Sequence, residues 1–383
     1  MVVMKQKFFS IIISVFLALF VVLPLVAQTA ESTMSSGLWD IAMVRDGLVL
    51  TGYKGDSTNI QLPDRWGGFP VIGVQGSLEV DTNGVVTAIK SAIPSDNVSS
   101  LFVPNGFTSI GDGAFYNNKL GQLTLPEGIT AIGTGAFAYN ELTELALPST
   151  IIYVGDGAFQ YNQLTKVQLP AKLNFIGDSA FYANAITMLS LPAGVTSVGD
   201  YAFCSNNLSS LQLSASLSNI GQWAFAYNLL SAIEIPLGLQ TLGDWSFAFN
   251  ALYSVVFPAS VTEIGPYAFY NNQIASLSIP ASVIEIGAWA FAYNALTGIT
   301  LPASLDVIPD GAFYNNSLSV ITIPASVSKI GSQAFVNNPL TTITMPANVE
   351  LNSSFPNDFD VIYRNNSQRA GRYTLSNGVW YFQ

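Results

Sequence analysis

A phenylalanine recurs every 22 residues through the middle of this chain: Phe115, Phe137, Phe159, Phe181, Phe203, Phe225, Phe247, Phe269, Phe291, Phe313 and Phe335. Asparagine stands three positions later in all eleven copies, at Asn118, Asn140, Asn162, Asn184, Asn206, Asn228, Asn250, Asn272, Asn294, Asn316 and Asn338. Alanine precedes the Phe in every copy but one, where Ser246 replaces it, and Gly stands four before it except at Pro309. Proline lies eleven before it, with Ser214 the exception. A unit this short cannot bury its own apolar face. Stacked copies build one continuous core, so the period dictates a solenoid.

Each column has a physical task. Leu142–Pro148 alternates apolar and polar residues, which predicts a short strand, and Pro148 ends it because proline cannot donate the next ladder hydrogen bond. A second apolar pair follows, such as Val261 and Ile264, and the Gly after it predicts a tight turn. The Gly-Asp-x-Ala-Phe piece predicts one helical turn, N-capped by Asp112, Asp156, Asp178, Asp200, Asp244 or Asp310. Ala leaves room for the neighbouring coil and Phe fills the interior. The Asn column predicts a buried ladder whose amides bond backbone groups at the bend. The expected class is an α/β repeat solenoid: short parallel strands joined by turn or short-helix segments. Eleven coils at a strand spacing of about 4.8 Å give a rod of roughly 50 Å.

The run FPASVTEIGPYAFYNN, from Phe257, resembles the BspA-type leucine-rich repeat of bacterial surface proteins, and the resemblance extends from Leu101 to Val349. The segment Leu48–Val74 resembles the cap that precedes such arrays, and VIYRNNSQRAGRYTLSNGVWYFQ is similar to a closing segment. The resemblance implies a right-handed curved leucine-rich-repeat array, adhesion to host or bacterial surfaces, and no catalytic residues. The expected organisation is a signal peptide or N-terminal anchor at 1–30 and an N-terminal cap with a degenerate repeat at 31–100. The eleven-coil solenoid follows at 101–350 and a C-terminal cap at 351–383.

Composition narrows the chemistry. The 383 residues are 50% hydrophobic and carry a net charge of −11, with only 13 basic residues, which argues against nucleic acid as a partner. Absence of histidine removes Ser-His-Asp and Cys-His catalysis and His-ligated zinc. One cysteine, Cys204, excludes an internal disulfide framework, and packing as a small apolar residue is its expected role. The chain reads as non-enzymatic and free of cofactors and metals. Calcium on the Asp column would need six to eight oxygens, and one carboxylate per coil supplies few. Lys5 and Lys7 before the apolar run Phe8–Ala27, with small Ala27 and Ala30 after it, have the layout of an export signal. That run is also long enough to stay as a membrane anchor.

Recognition belongs where the repeat varies. Two before Phe the sequence reads Gly113, Gly135, Gly157, Ser179, Tyr201, Trp223, Trp245, Tyr267, Trp289, Gly311 and Gln333. The rings of Tyr201, Trp223, Trp245, Tyr267 and Trp289 are candidate ligand-binding residues, set in a strip of roughly 20 Å. They either pack on one another to shield the layer beneath or dock a partner protein or glycan. A second set, Tyr116, Tyr139, Tyr161, Tyr182, Tyr227, Tyr270, Tyr293 and Tyr314, predicts interleaved packing at the bend. The strand positions Gln122, Thr124, Lys166, Gln168, Ser276, Ser278, Thr342 and Thr344 predict a polar, flat face. The function expected from these readings is that of a secreted or cell-surface binding protein, an adhesin meeting extracellular proteins. A spacer without a ligand and a carbohydrate-binding module are the alternatives. Oligomeric state is left open.

Overall fold

The computed structural model describes residues 33–82, 85–93 and 97–383. The export signal expected at 1–30 lies outside the described residues. Most coils make two short strands that pair in parallel with those of neighbouring coils; the expected strand positions Gln122 and Thr124 are an exception and lie in irregular backbone. In one ladder Glu144–Ala146 lies against Lys166–Gln168, residue for residue. In the other, Tyr153–Val154 pairs with Phe175–Ile176, which pairs with Ser197–Val198. Each of these registers is a shift of one 22-residue repeat, so like residues stack on like. An antiparallel meander, Thr33–Ser36, Trp39–Val44 and Gly47–Tyr53, opens the fold and joins the second ladder through Phe69–Val74.

The third side of each coil corrects the α/β expectation. The Gly-Asp-x-Ala-Phe segments are not helical; the fold is a β-solenoid, and the only helix among the described residues is Phe359–Asn365 in the C-terminal segment. The cause is backbone conformation. The position two before Phe is left-handed in every copy, with φ between +56° at Ser179 and +61° at Gly135, and a left-handed residue ends a right-handed helix. Alternate N–H groups then turn towards the next coil: Gly113 donates to Thr134 O at 2.8 Å and Phe115 to Ala136 O at 2.8 Å. The groups between close single turns, Ala114 donating to Gly111 O and Tyr116 to Gly113 O.

Two columns therefore act differently from their expected roles. The Gly four before Phe does not take a positive φ. A Cβ on Gly155 would lie 2.8 Å from Gly133 C and Thr134 N, so that glycine permits coil-to-coil approach and not a tight turn. The aspartates cap the neighbouring coil instead of a helix. Asp112 Oδ1 accepts from Thr134 N at 2.7 Å, Asp178 Oδ1 from Asp200 N at 2.8 Å, and Asp200 Oδ1 from Gln222 N at 2.7 Å.

The core is a file of phenylalanines between the two ladders. All eleven are fully buried. Adjacent rings stack with centroids 5.1 Å apart at Phe181–Phe203 and 5.8 Å at Phe291–Phe313. Phe355 extends the file 5.0 Å beyond Phe335. The asparagines lie beside it. Asn206 Nδ2 donates to Phe181 O at 2.9 Å and Phe203 O at 3.2 Å, while its Oδ1 accepts from Ile186 N at 3.0 Å. Ser246 breaks the pattern: its hydroxyl is buried without a partner where other copies have Ala. Ser246→Ala is expected to raise stability by about 1 kcal/mol, because a buried unpaired hydroxyl carries an uncompensated desolvation cost. Denaturant unfolding checks it, and an unchanged midpoint would mean the hydroxyl is not a burden.

Candidate functional site on the middle coils

The five rings of the variable column lie in a single file on the turn side. Tyr201 is 39% exposed, and Trp223, Trp245, Tyr267 and Trp289 are half-buried. Successive centroids are 6.0, 4.4, 3.9 and 6.3 Å apart, with planes within 7° of parallel. The three middle rings, Trp223, Trp245 and Tyr267, thus cover one another's faces and leave their edges as the accessible part, while Tyr201 and Trp289 lie parallel at a wider spacing. Ser246 Oγ and Trp380 Nε1 are the only side-chain polar atoms among the described residues buried without a partner. The indole N–H groups of Trp223, Trp245 and Trp289 are not among them.

Backbone conformation makes this column unusual. Tyr201, Trp223, Trp245, Tyr267 and Trp289 hold φ values of 58°, 59°, 59°, 57° and 60°. For bulky side chains that region is an outlier, disfavoured by about 1 kcal/mol or more per residue. Gly113, Gly135, Gly157 and Gly311 hold the same φ of about 60° without a Cβ to strain. The aromatic residues occupy a site whose backbone favours glycine.

A second row flanks the first. The position two after Phe is also left-handed, at Tyr227, Phe249 and Tyr293 among others. Tyr227 and Phe249 stack at 4.3 Å and lie parallel to Trp223 and Trp245 at 6.1 Å. Cys204, Ala226 and Ala248 form the small floor between the rows, against Trp223, Trp245 and Phe249. Burial pushes the Cys204 thiol up, which keeps it protonated and unreactive. Of the second tyrosine set, Tyr139 and Tyr161 stack at 4.5 Å, and Tyr270 meets Tyr293 edge-on at 5.1 Å. The chain is interrupted at Cys204 and Ser205, which carry no ring. Phe249 had gone unnoticed in the sequence. The recurrent Gly two before Phe and Asn two after it, at Asn117, Asn271, Asn315 and Asn337, mark both positions as left-handed and would have found it.

Among the described residues no three Asp, Glu, His or Cys side chains converge as a metal site. Burial raises the carboxyls of Asp112, Asp156, Asp178, Asp244 and Glu263 above their ordinary values, and like charge on nearby coils adds to the rise at all of these but Asp112. Asp112, only 8% exposed, is the firmest case. A raised carboxyl binds its proton more tightly folded than unfolded, so its contribution is complete below the unfolded value of 3.8 for Asp and is lost as pH climbs through the folded value. Glu127, held low by Ser149, acts in the opposite sense but is fully exposed. The melting temperature is expected to be higher at about pH 4.5 than at pH 7, by about 2 °C or more. A fall over that interval would show that carboxylate hydrogen bonds outweigh burial.

The description "BspA type Leucine rich repeat region" matches six times, over residues 90–205, 176–297 and 250–358, well over half the chain. No curated protein matches. Among solved structures, a leucine-rich repeat protein from Bacteroides ovatus aligns with a TM-score of 0.56 at 19% identity, covering 79% of this chain and 92% of that one. A leucine-rich cell surface protein from Faecalibacterium prausnitzii gives 0.45 at 21% identity, covering 84% and 90%. The pneumococcal vaccine antigen PcpA gives 0.47 at 18%, covering 85% and 87%. The first of these shares the fold.

Proposed function

This chain belongs to the family of BspA-type leucine-rich repeat proteins, and on that premise we propose that it is a secreted or cell-surface, non-enzymatic binding protein of bacterial type. It acts as an adhesin that docks a partner protein on the strip Tyr201, Trp223, Trp245, Tyr267 and Trp289. One observation carries the reading: five consecutive aromatics occupy backbone positions where glycine is unstrained. Each gives up about 1 kcal/mol of backbone energy, and a stacked pair returns about 0.5–1.5 kcal/mol beyond the area it buries, so the rings are kept against a backbone that glycine would fit without strain. What the rings add is a partly exposed apolar surface of Trp and Tyr, the residue types of a binding hot spot. The export-signal layout of the first thirty residues supports surface or secreted placement.

The same geometry favours a protein over a glycan. A sugar ring packs on an open aromatic face, and here neighbouring rings cover each other at 3.9 and 4.4 Å. The test is saturation binding of the purified protein to matrix proteins, cell surfaces and soluble glycans, beside a Trp223→Gly, Trp245→Gly, Trp289→Gly variant. Glycine is the right replacement because it relieves the left-handed backbone. Wild type is expected to saturate on a protein ligand, with affinity falling about a hundredfold in the folded variant. Binding that survives the substitutions moves the site elsewhere, and binding to no ligand leaves the rod itself as the function.

A further inference from the structure

The charge around the strip is one-sided. No lysine or arginine lies between Lys172 and Lys329, an interval that contains all five rings and eight acidic residues. Asp200 and Asp244 immediately precede Tyr201 and Trp245 in the chain. Glu263 and Glu285 are register partners on the adjoining strand ladder, and each lies four residues before a ring, Tyr267 and Trp289. Burial, then the charges of Glu285 and Asp244, push the Glu263 carboxyl up, so Glu263 lies within the fields of the other two.

Their bonding is incomplete. In other coils the Asp carboxylate accepts the N–H three residues before the next Phe, as Asp200 does from Gln222. The residue facing Asp244 in this way is Pro266, which has no N–H to give. The ion pairs Lys54–Asp40, Lys90–Glu79 and Lys329–Glu350 do not include Asp244, Glu263 or Glu285. The strip of rings is thus accompanied, residue by residue along the chain, by carboxylates that none of these ion pairs neutralises.

We propose that the occupant of this strip is a cationic segment of a partner polypeptide. Its lysine or arginine heads meet Asp200, Asp244, Glu263 and Glu285 while their aliphatic stems lie across the ring edges. The inference rests on the docking face proposed above and adds the partner's chemistry to it. The rings supply the anchors, and the carboxylate border supplies the steering. Long cationic side chains suit such a surface because their stems cover apolar area as their heads stay polar. Complementary charge sets the encounter rate and rejects anionic partners.

The experiment uses the purified full chain and a dye-labelled arginine–glycine repeat peptide, followed by fluorescence anisotropy at low salt. A glutamate–glycine peptide is the charge-reversed match. The arginine peptide is expected to saturate the wild type and the glutamate peptide to stay free. The combined Asp200→Asn, Asp244→Asn, Glu263→Gln, Glu285→Gln variant should bind about tenfold or more weakly. A control with as many charges removed from the first part of the chain, Asp46→Asn, Asp56→Asn, Glu141→Gln, Glu144→Gln, should lose less than about threefold. Equal losses in the two variants would overturn the inference, since net charge alone would then hold the peptide. Suppose a protein ligand found in the saturation screen loses binding to the glycine variant but not to the charge-neutral one. The docking face then stands and its cationic partner does not. Self-association of the wild type that both sets of substitutions abolish would make the occupant a second copy, through Arg364, Arg369 and Arg372, and would overturn a foreign partner.

Discussion

Asn206→Ala should cost on the order of 3 kcal/mol, far more than its size suggests. The side chain is 5% exposed and works as a staple between coils. Its amide reaches Phe181 O in the preceding coil and Phe203 O in its own, and its oxygen holds the N–H of Ile186. The carbonyls keep a second donor, because Asn184 also bonds Phe181 O and Asn228 bonds Phe203 O. Ile186 N–H has no such reserve in its buried position. Alanine therefore removes several backbone-directed bonds and orphans one donor, and a buried orphan costs about 1–3 kcal/mol alone. A solenoid coil touches only its neighbours, so the damage should also lower cooperativity and broaden the urea transition. Ser209→Ala, an exposed side chain in the same coil, should change the midpoint little. A loss below about 0.5 kcal/mol for Asn206→Ala would mean that water or backbone movement replaces the staple.

Removing residues 352–383 should have a comparably large effect, seen as aggregation as well as lost stability. Phe355, Phe359, Tyr363, Tyr373 and Trp380 are all buried over the last coil. Phe359 meets Phe355 edge-on at 4.9 Å and Trp380 at 5.1 Å, and Tyr363 donates to Pro346 O at 2.6 Å. Asp360, in the first turn of the Phe359–Asn365 helix, accepts the N–H groups of Ser354 at 2.8 Å and Phe355 at 3.1 Å. The Gly371–Ser376 strand pairs with Thr342–Met345 and covers its edge. Without these residues the last Phe of the file and a strand edge face water, a template for association. Light scattering and thermal melts of the truncated chain check this, and a monomer as stable as the whole protein would refute the capping role.

The repeat made the solenoid legible because one chemical requirement, stacking like on like, is written eleven times. What stayed hidden was conformation within the unit. A Gly-Asp-x-Ala-Phe string is compatible with a helical turn by local propensity. The inter-coil hydrogen bonds decide otherwise, and they are properties of two coils together, such as Phe115 with Ala136. The roles of Gly155 and Asp112 were misread for the same reason, since each acts on a neighbouring coil. The aromatic column stood out as variable, yet its strain becomes visible only once φ is known. The contrast between Gly157 and Trp223 at one position was the available clue. The carboxylate border escaped notice because Glu263 and Asp244 belong to different columns that meet through the fold.

The most direct measurement is urea unfolding of Trp245→Gly beside Trp245→Ala. Trp245 sits at φ 59° between Trp223 and Tyr267. If the strip is a surface displayed at the expense of backbone strain, glycine restores an unstrained residue. The Gly variant should then be at least as stable as the Ala variant and within about 1.5 kcal/mol of wild type. A Gly variant that loses about 3–5 kcal/mol, as truncation of a core aromatic does, would contradict the account and return the rings to packing.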